Sequence, residues 1–222
     1  MEYLHPLNLK IPGDFSAAAF LMVAALITPG SNIILKGVGL NPTRIGLMVV
    51  LQEMEADIQI LETWVESGEL VGNVRVSSSK LKGGNVSGRR VVDMIDEFPV
   101  FAVAAANASG ITLVSEAEEL RLKESDRIAM LCAEFIRQGV AIEERKDGFI
   151  IKGKGHIQGG KTADPHRDHR LAMSMAVLGL NAMEPVTVNQ AEILTESFPD
   201  FSEVLQNLGA RVLVLPDEVK MR

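Results

Sequence analysis

Residues 168–180 read D-H-R-L-A-M-S-M-A-V-L-G-L, an acidic residue followed by a run that is apolar on nearly every side and rich in small side chains. A carboxylate at a helix start accepts hydrogen bonds from the free N–H groups there, so Asp168 reads as an N-cap. A helix that is apolar all round belongs inside a protein. The same pattern occurs twice more: Asp14 precedes F-S-A-A-A-F-L-M-V-A-A-L-I over Phe15–Ile27, and Asp96 begins a second Ala-rich run that ends at Ala108. The three aspartates lie 82 and 72 residues apart, too far for a solenoid repeat.

Each buried helix is followed by a glycine or proline stop, a strand, an amphipathic helix and a further strand. In the first unit these are the stop Thr28-Pro29-Gly30, a strand over 32–38, a helix over 45–54 with Pro42 near its start, and a short strand over 57–61. Two hairpin-like strands then cover 70–79, with Gly83-Gly84 as a turn. The second unit has strands over 111–114, 141–144 and 149–152 around a helix over 123–138. In the third, Pro185 closes a turn before a strand over 186–189, a helix over 198–208 and a last strand over 211–215. Three such units predict a pseudo-threefold α/β domain, with the Ala-rich helices inside and the sheets outside. Their helix N-termini, each carrying charge, can then converge on one face.

A second informative stretch is Leu120–Arg127, L-R-L-K-E-S-D-R. Behind it Ile128, Leu131, Cys132 and Phe135 fall at i, i+3, i+4 and i+7, which predicts a helix beginning near Glu124. Cations at a helix N-terminus oppose the macrodipole, and that local cost points to an anionic ligand held by backbone N–H groups and by Lys123 and Arg127. Taken alone, the stretch reads better as a solvated helix start with intrahelical ion pairs, since charge runs usually are solvated.

The 222 residues carry a net charge of −7, with one Trp and one Tyr, so there is no basic, aromatic footprint for nucleic acid. No apolar run of about 20 residues offers a membrane span, and the first residues lack a signal peptide's basic and apolar regions. The composition therefore predicts a cytoplasmic protein. Cys132, the sole cysteine, sits on the apolar stripe and reads as a buried structural thiol. Leu7, Leu9 and Ile11 alternate from the outset as if in mid-strand, which predicts that the sequence starts inside a longer protein.

The combination G-D-F-S-A-A-A-F, G-L-N-P-T-R, L-K-E-S-D-R-I and D-H-R-L-A-M-S-M-A-V closely resembles the 5-enolpyruvylshikimate-3-phosphate synthase family of enolpyruvyl transferases. The match runs from about Gly13 to the C-terminus. The resemblance implies two domains, each a threefold βα arrangement often called an inside-out barrel, closing on substrate between them. Residues 13–222 are similar to the C-terminal domain and residues 1–12 to the crossover from an N-terminal domain. That domain's G-S-K-S and G-N-A-G-T motifs have no counterpart here. The family moves the enolpyruvyl group of phosphoenolpyruvate to the 5-hydroxyl of shikimate 3-phosphate, with no metal or organic cofactor, and the resemblance implies a full-length monomer.

By position in the motifs, the resemblance implies Asp96 as the carboxylate that deprotonates the hydroxyl and Glu124 as the partner near the methylene carbon. Lys123 would contact shikimate 3-phosphate, and Arg127 and Arg170 would hold the phosphoenolpyruvate carboxylate. Asp168 and His169 would order Arg170 and the loop before it. Arg44 and Asp14 read as capping and packing residues. Glu196 stands where some relatives carry a phosphate-binding lysine and is given no site role. Two other functions fit less well: a sister transferase acting on a UDP-sugar, and a non-catalytic phospho-ligand module built on this half-fold.

Overall fold

The computed structural model describes Pro6, residues 8–123 and residues 125–215. In chain order the first unit comprises α1 (Phe15–Ile27), β1 (Asn32–Gly39), α2 (Gly46–Glu53), β2 (Asp57–Glu66) and β3 (Glu69–Ser77). The second comprises β4 (Asn85–Val86), α3 (Arg89–Asp93), α4 (Phe98–Asn107), β5 (Ser109–Val114), α5 (Arg127–Arg137), β6 (Ala141–Arg145) and β7 (Gly148–Lys154). The third comprises β8 (Ile157–Gly159), β9 (Thr162–Ala163), α6 (His169–Gly179), β10 (Ala182–Glu184), β11 (Thr187–Val188) and α7 (Phe201–Asn207).

The three Ala-rich helices α1, α4 and α6 pack against one another, and the sheets lie outside them. Helix α4 is buried from Phe98 to Ala106 without a break. Its alanines let neighbouring helices approach closely, and its aromatics fill what remains. Phe98 meets Phe101 and Phe149 edge-to-face at 6.2 and 6.4 Å, and Phe20 of α1 meets Phe201 of α7 at 6.0 Å. Each such ring, fully buried, contributes roughly 2–3 kcal/mol.

The first sheet is antiparallel in the order β1-β3-β2, and the second runs β4-β5-β7-β6 with only β4–β5 parallel. The third unit has two short parallel ladders instead, β10–β8 and β11–β9. The arrangement is a mixed α/β repeat, and no closed barrel forms among the described residues. No helix among them is long and apolar enough to cross a membrane.

Several local expectations are corrected. The 70–79 stretch is one strand, β3, and its hairpin partner is the preceding β2, which runs on to Glu66. The turn between them is Ser67-Gly68, both at positive φ (53° and 86°), as a two-residue hairpin demands. Residues 211–215 form no strand, and Leu213, Val214 and Leu215 are exposed. Residues 8–12 are neither helix nor strand; Lys10 instead ties the lead segment to the β2–β3 turn, its N–H donating to Ser67 Oγ (3.1 Å) and its ammonium pairing with Glu66 (3.0 Å). Leu7 lies outside the described residues.

Helix α5 starts at Arg127, later than the sequence pattern predicts. Residues 118–122 form a 3-10 turn and Lys123 is extended, because the Asp126 side chain accepts the Ala129 N–H at 3.0 Å and so caps the helix there. The apolar stripe Ile128, Leu131, Cys132 and Phe135 is buried as expected. Burial pushes the Cys132 thiol up to about 12. Alkylation of Cys132 at about pH 8 should therefore be at least ~100-fold slower in the folded chain than in urea, since only the thiolate reacts. Equal rates, measured by mass spectrometry, would contradict its buried placement.

Candidate functional site

The N-terminal ends of α1, α4 and α6 are tied together by side chains. Asp14 caps α1 by accepting from Ser16 and Ala17 N–H (2.5 and 3.2 Å), and Asp168 caps α6 by accepting from Arg170 and Leu171 N–H (2.9 and 3.3 Å). Asp96 does not cap α4. Glu97 takes the cap position and makes no side-chain cap bond; its carboxylate accepts from Ser16 Oγ of α1 at 2.5 Å.

Asp96 is thereby free to face three guanidinium groups, one from each unit. Arg170 Nη1 donates to the Asp96 carbonyl at 3.3 Å, and its Nη2 lies 3.5 Å from Asp96 Oδ2. Arg44 Nη2 lies 3.7 Å from the same oxygen and also donates to Ser16 Oγ at 3.1 Å. Arg127 Nη1 lies 3.8 Å from Asp96 Oδ1, while its Nε donates to Asp168 Oδ2 at 2.7 Å. Tight charge-assisted bonds run about 2.7–2.9 Å. The Arg127–Asp168 bond is of that kind; the three ion pairs to Asp96 are looser.

Exposure ranks the arginines. The Arg44 side chain is 52% exposed, Arg170 16% and Arg127 3%. Arg44 is thus exposed, Arg170 largely covered and Arg127 buried.

Of the residues singled out in the sequence, the structure brings Asp96, Arg127, Arg170 and Asp168 together. Glu124 lies outside the described residues. Lys123 sits on the extended link before Asp126, half-buried, and makes no hydrogen bond or ion pair with the described residues. His169 is half-buried and makes no such contact either, so its ring does not order Arg170 through a polar bond. Asp168 accepts both the Arg170 N–H and the Arg127 Nε–H.

The loop before Asp168 is held by residues that the pattern did not reveal. Glu134, fully buried on α5, accepts the Asp164 N–H at 3.2 Å and lies 3.3 Å from both His166 Nε2 and Arg137 Nε. His166 and Arg167 are both held at positive φ, 51° and 61°. Arg44, Ser16 and Glu97 were missed as well. Arg44 reads as a packing residue, and only the fold carries it to Asp96.

A cavity of about 210 Å³ lies beside α1, lined by Ala17, Leu21, Leu35, Val38 and Phe198 among others, and contains none of the three arginines. The three arginines thus lie outside that apolar groove. No group of three His, Cys, Asp or Glu among the described residues is placed to hold a metal.

Burial raises the Glu97 carboxyl above its ordinary 4.5; neighbouring Asp96 adds to the rise, and the Ser16 bond, Arg170 and Arg44 work against it. Stability conferred by such a group is fully present below its unfolded value and is lost as pH rises through the folded value. Glutamine cannot ionise and its carbonyl can still accept from Ser16. The melting temperature of Glu97→Gln relative to wild type should therefore climb as pH rises above 4.5. A difference that stays flat with pH would contradict this assignment.

The chain matches the family model described as EPSP synthase (3-phosphoshikimate 1-carboxyvinyltransferase) over residues 1–205. It is 52% identical over 198 residues to a 3-phosphoshikimate 1-carboxyvinyltransferase of Carboxydothermus hydrogenoformans, covering 89% of this chain and 46% of that relative. Against a protein of the same name in Parvibaculum lavamentivorans it is 47% identical over 208 residues, covering 93% and 46%. Among solved structures, an EPSP synthase from Acinetobacter baumannii matches with a TM-score of 0.91 at 38% identity, covering 94% of this chain and 48% of that one. The chain spans about half the length of the curated relatives it matches.

Proposed function

The chain belongs to the EPSP synthase family, and on that premise we propose that it forms the charged half of an active site for enolpyruvyl transfer from phosphoenolpyruvate to the 5-hydroxyl of shikimate 3-phosphate. Residues 13–222 then act as the C-terminal domain and residues 1–12 as the crossover from a preceding one. The observation that carries this reading is the convergence of Arg44, Arg127 and Arg170 on the single carboxylate of Asp96. Both substrates are polyanions. A face that gathers guanidinium groups from three units around one loosely held carboxylate can exchange that carboxylate for a ligand's.

In this scheme the phosphoenolpyruvate carboxylate takes a forked pair of bonds from Arg170 and, behind it, Arg127. Asp96, released from its long contacts, accepts the proton of the 5-hydroxyl as that oxygen bonds to the enol carbon. Glu124 delivers a proton to the methylene carbon, giving a tetrahedral intermediate. Phosphate then leaves, and loss of a proton from the new methyl group restores the double bond. Lys123 supplies positive charge at the reacting oxygen. Asp168 keeps Arg127 aimed.

The test is phosphate release with both substrates, using the chain joined to the N-terminal half of a relative. The joined protein should release phosphate, and Lys123→Ala should slow it by at least ~100-fold, as expected for a fixed cation at developing charge. A joined protein that folds yet releases no phosphate would overturn the reading. So would a Lys123→Ala rate within about threefold of wild type, which would mark the lysine as a solvated surface charge.

A further inference from the structure

Arg121 is the cation of L-R-L-K-E-S-D-R that the proposed function leaves without a task. Its side chain is only 24% exposed. Nε donates to the Lys146 carbonyl at 2.8 Å, Nη1 to both oxygens of Asp126 at 3.0 and 2.8 Å, and Nη2 to Glu144 Oε1 and the Arg145 carbonyl, each at 2.7 Å. These contacts engage all three nitrogens of the guanidinium. Its acceptors lie on two bodies. Asp126 is the N-cap of α5, whose first residue is Arg127, while 144–146 belong to strand β6 and its turn into β7.

The other end of the same connection is bolted to the same turn. Glu116 N–H donates to Asp147 Oδ2 at 2.8 Å, and Ala117 N–H to the Asp147 carbonyl at 2.7 Å. The segment between Glu116 and Asp126, which carries Lys123, is thus held at entry by Asp147 and at exit by Arg121. We infer that Arg121 is a positioning residue for the anion site, using the β6–β7 turn as a fixed base from which Asp126, Lys123 and the N-terminus of α5 are placed. The inference rests on the site reading proposed above. Lysine cannot reproduce Arg121, because the three donors of an ammonium sit on one atom and cannot match contacts spread over the three nitrogens of a planar fork. Glu144, 45% exposed on β6, has Arg121 as its polar link towards the site, so it offers a second point at which to loosen the clamp.

The test compares wild type, Arg121→Lys and Glu144→Gln in the 222-residue chain, by amide hydrogen exchange and by NMR titration with phosphoenolpyruvate and inorganic phosphate. Exchange of the Ala129 N–H, which Asp126 caps, should speed up by about tenfold in Arg121→Lys and by less in Glu144→Gln, with Phe101 and Ile151 unchanged. Phosphoenolpyruvate affinity should weaken about fivefold or more in the same order, since a site loop placed loosely binds poorly. Faster exchange with unchanged affinity would make Arg121 a purely structural clamp and overturn the inference, as would unchanged exchange at Ala129. If Arg121→Lys does not fold, Glu144→Gln decides by the same criteria. Wild type that binds neither ligand would bring down the anion-site reading and this inference with it, whereas binding retained by both variants would bring down the inference alone.

Discussion

The bond between Arg127 and Asp168 is the constraint from which the rest of the site follows. Both side chains are buried, 3% and 1% exposed, and Nε meets Oδ2 at 2.7 Å. Taking two charges out of water costs several kcal/mol per ion unless close geometry and further hydrogen bonds offset it. Here the other Asp168 oxygen accepts two N–H groups of α6, so the carboxylate is satisfied on both sides. The pair therefore does two things at once. It fixes the start of α5 against the start of α6, and it places Arg127 Nη1 3.8 Å from Asp96 Oδ1.

From that junction the polar contacts run round the three buried helices. Arg170, two residues after the α6 cap, reaches Asp96 before α4; Glu97 beside it receives Ser16 from α1; Arg44 closes the ring by touching both Ser16 and Asp96. The ends of the inner helices thus form a polar lid on an apolar core. Glu97 and Asp168 take the short structural bonds, and the contacts of the Asp96 carboxylate with the described residues are long. Those contacts, at 3.5–3.8 Å, hold Asp96 less tightly than Asp168 holds Arg127 at 2.7 Å.

The architecture was legible in the sequence because its signal is compositional. Helices buried on all faces need no periodicity to be recognised, and Asp14 and Asp168 cap as their positions suggest. Asp96 did not follow that rule: with Pro99 near the start of α4, the helix begins one residue later than the cap pattern implies, and Glu97 takes the end position. The start of α5 was misplaced because charge spacing in L-K-E-S-D-R fits a helix as well as a loop, and only the Asp126 cap and the Arg121 bonds decide between them. Arg44 and Glu134 were invisible as functional neighbours. Each reaches its partners from a distant part of the chain, and local pattern carries no record of such contacts.

The most direct measurement is urea unfolding of the 222-residue chain carrying Asp168→Asn, alone and together with Arg127→Met. Asparagine keeps an oxygen for the α6 cap but removes the charge 2.7 Å from Arg127 Nε, so the single variant should lose about 3–5 kcal/mol, and the double variant, which removes both members of this buried pair, should regain at least about half of it. A single variant within about 1 kcal/mol of wild type, or a double variant no more stable than the single, would contradict the account.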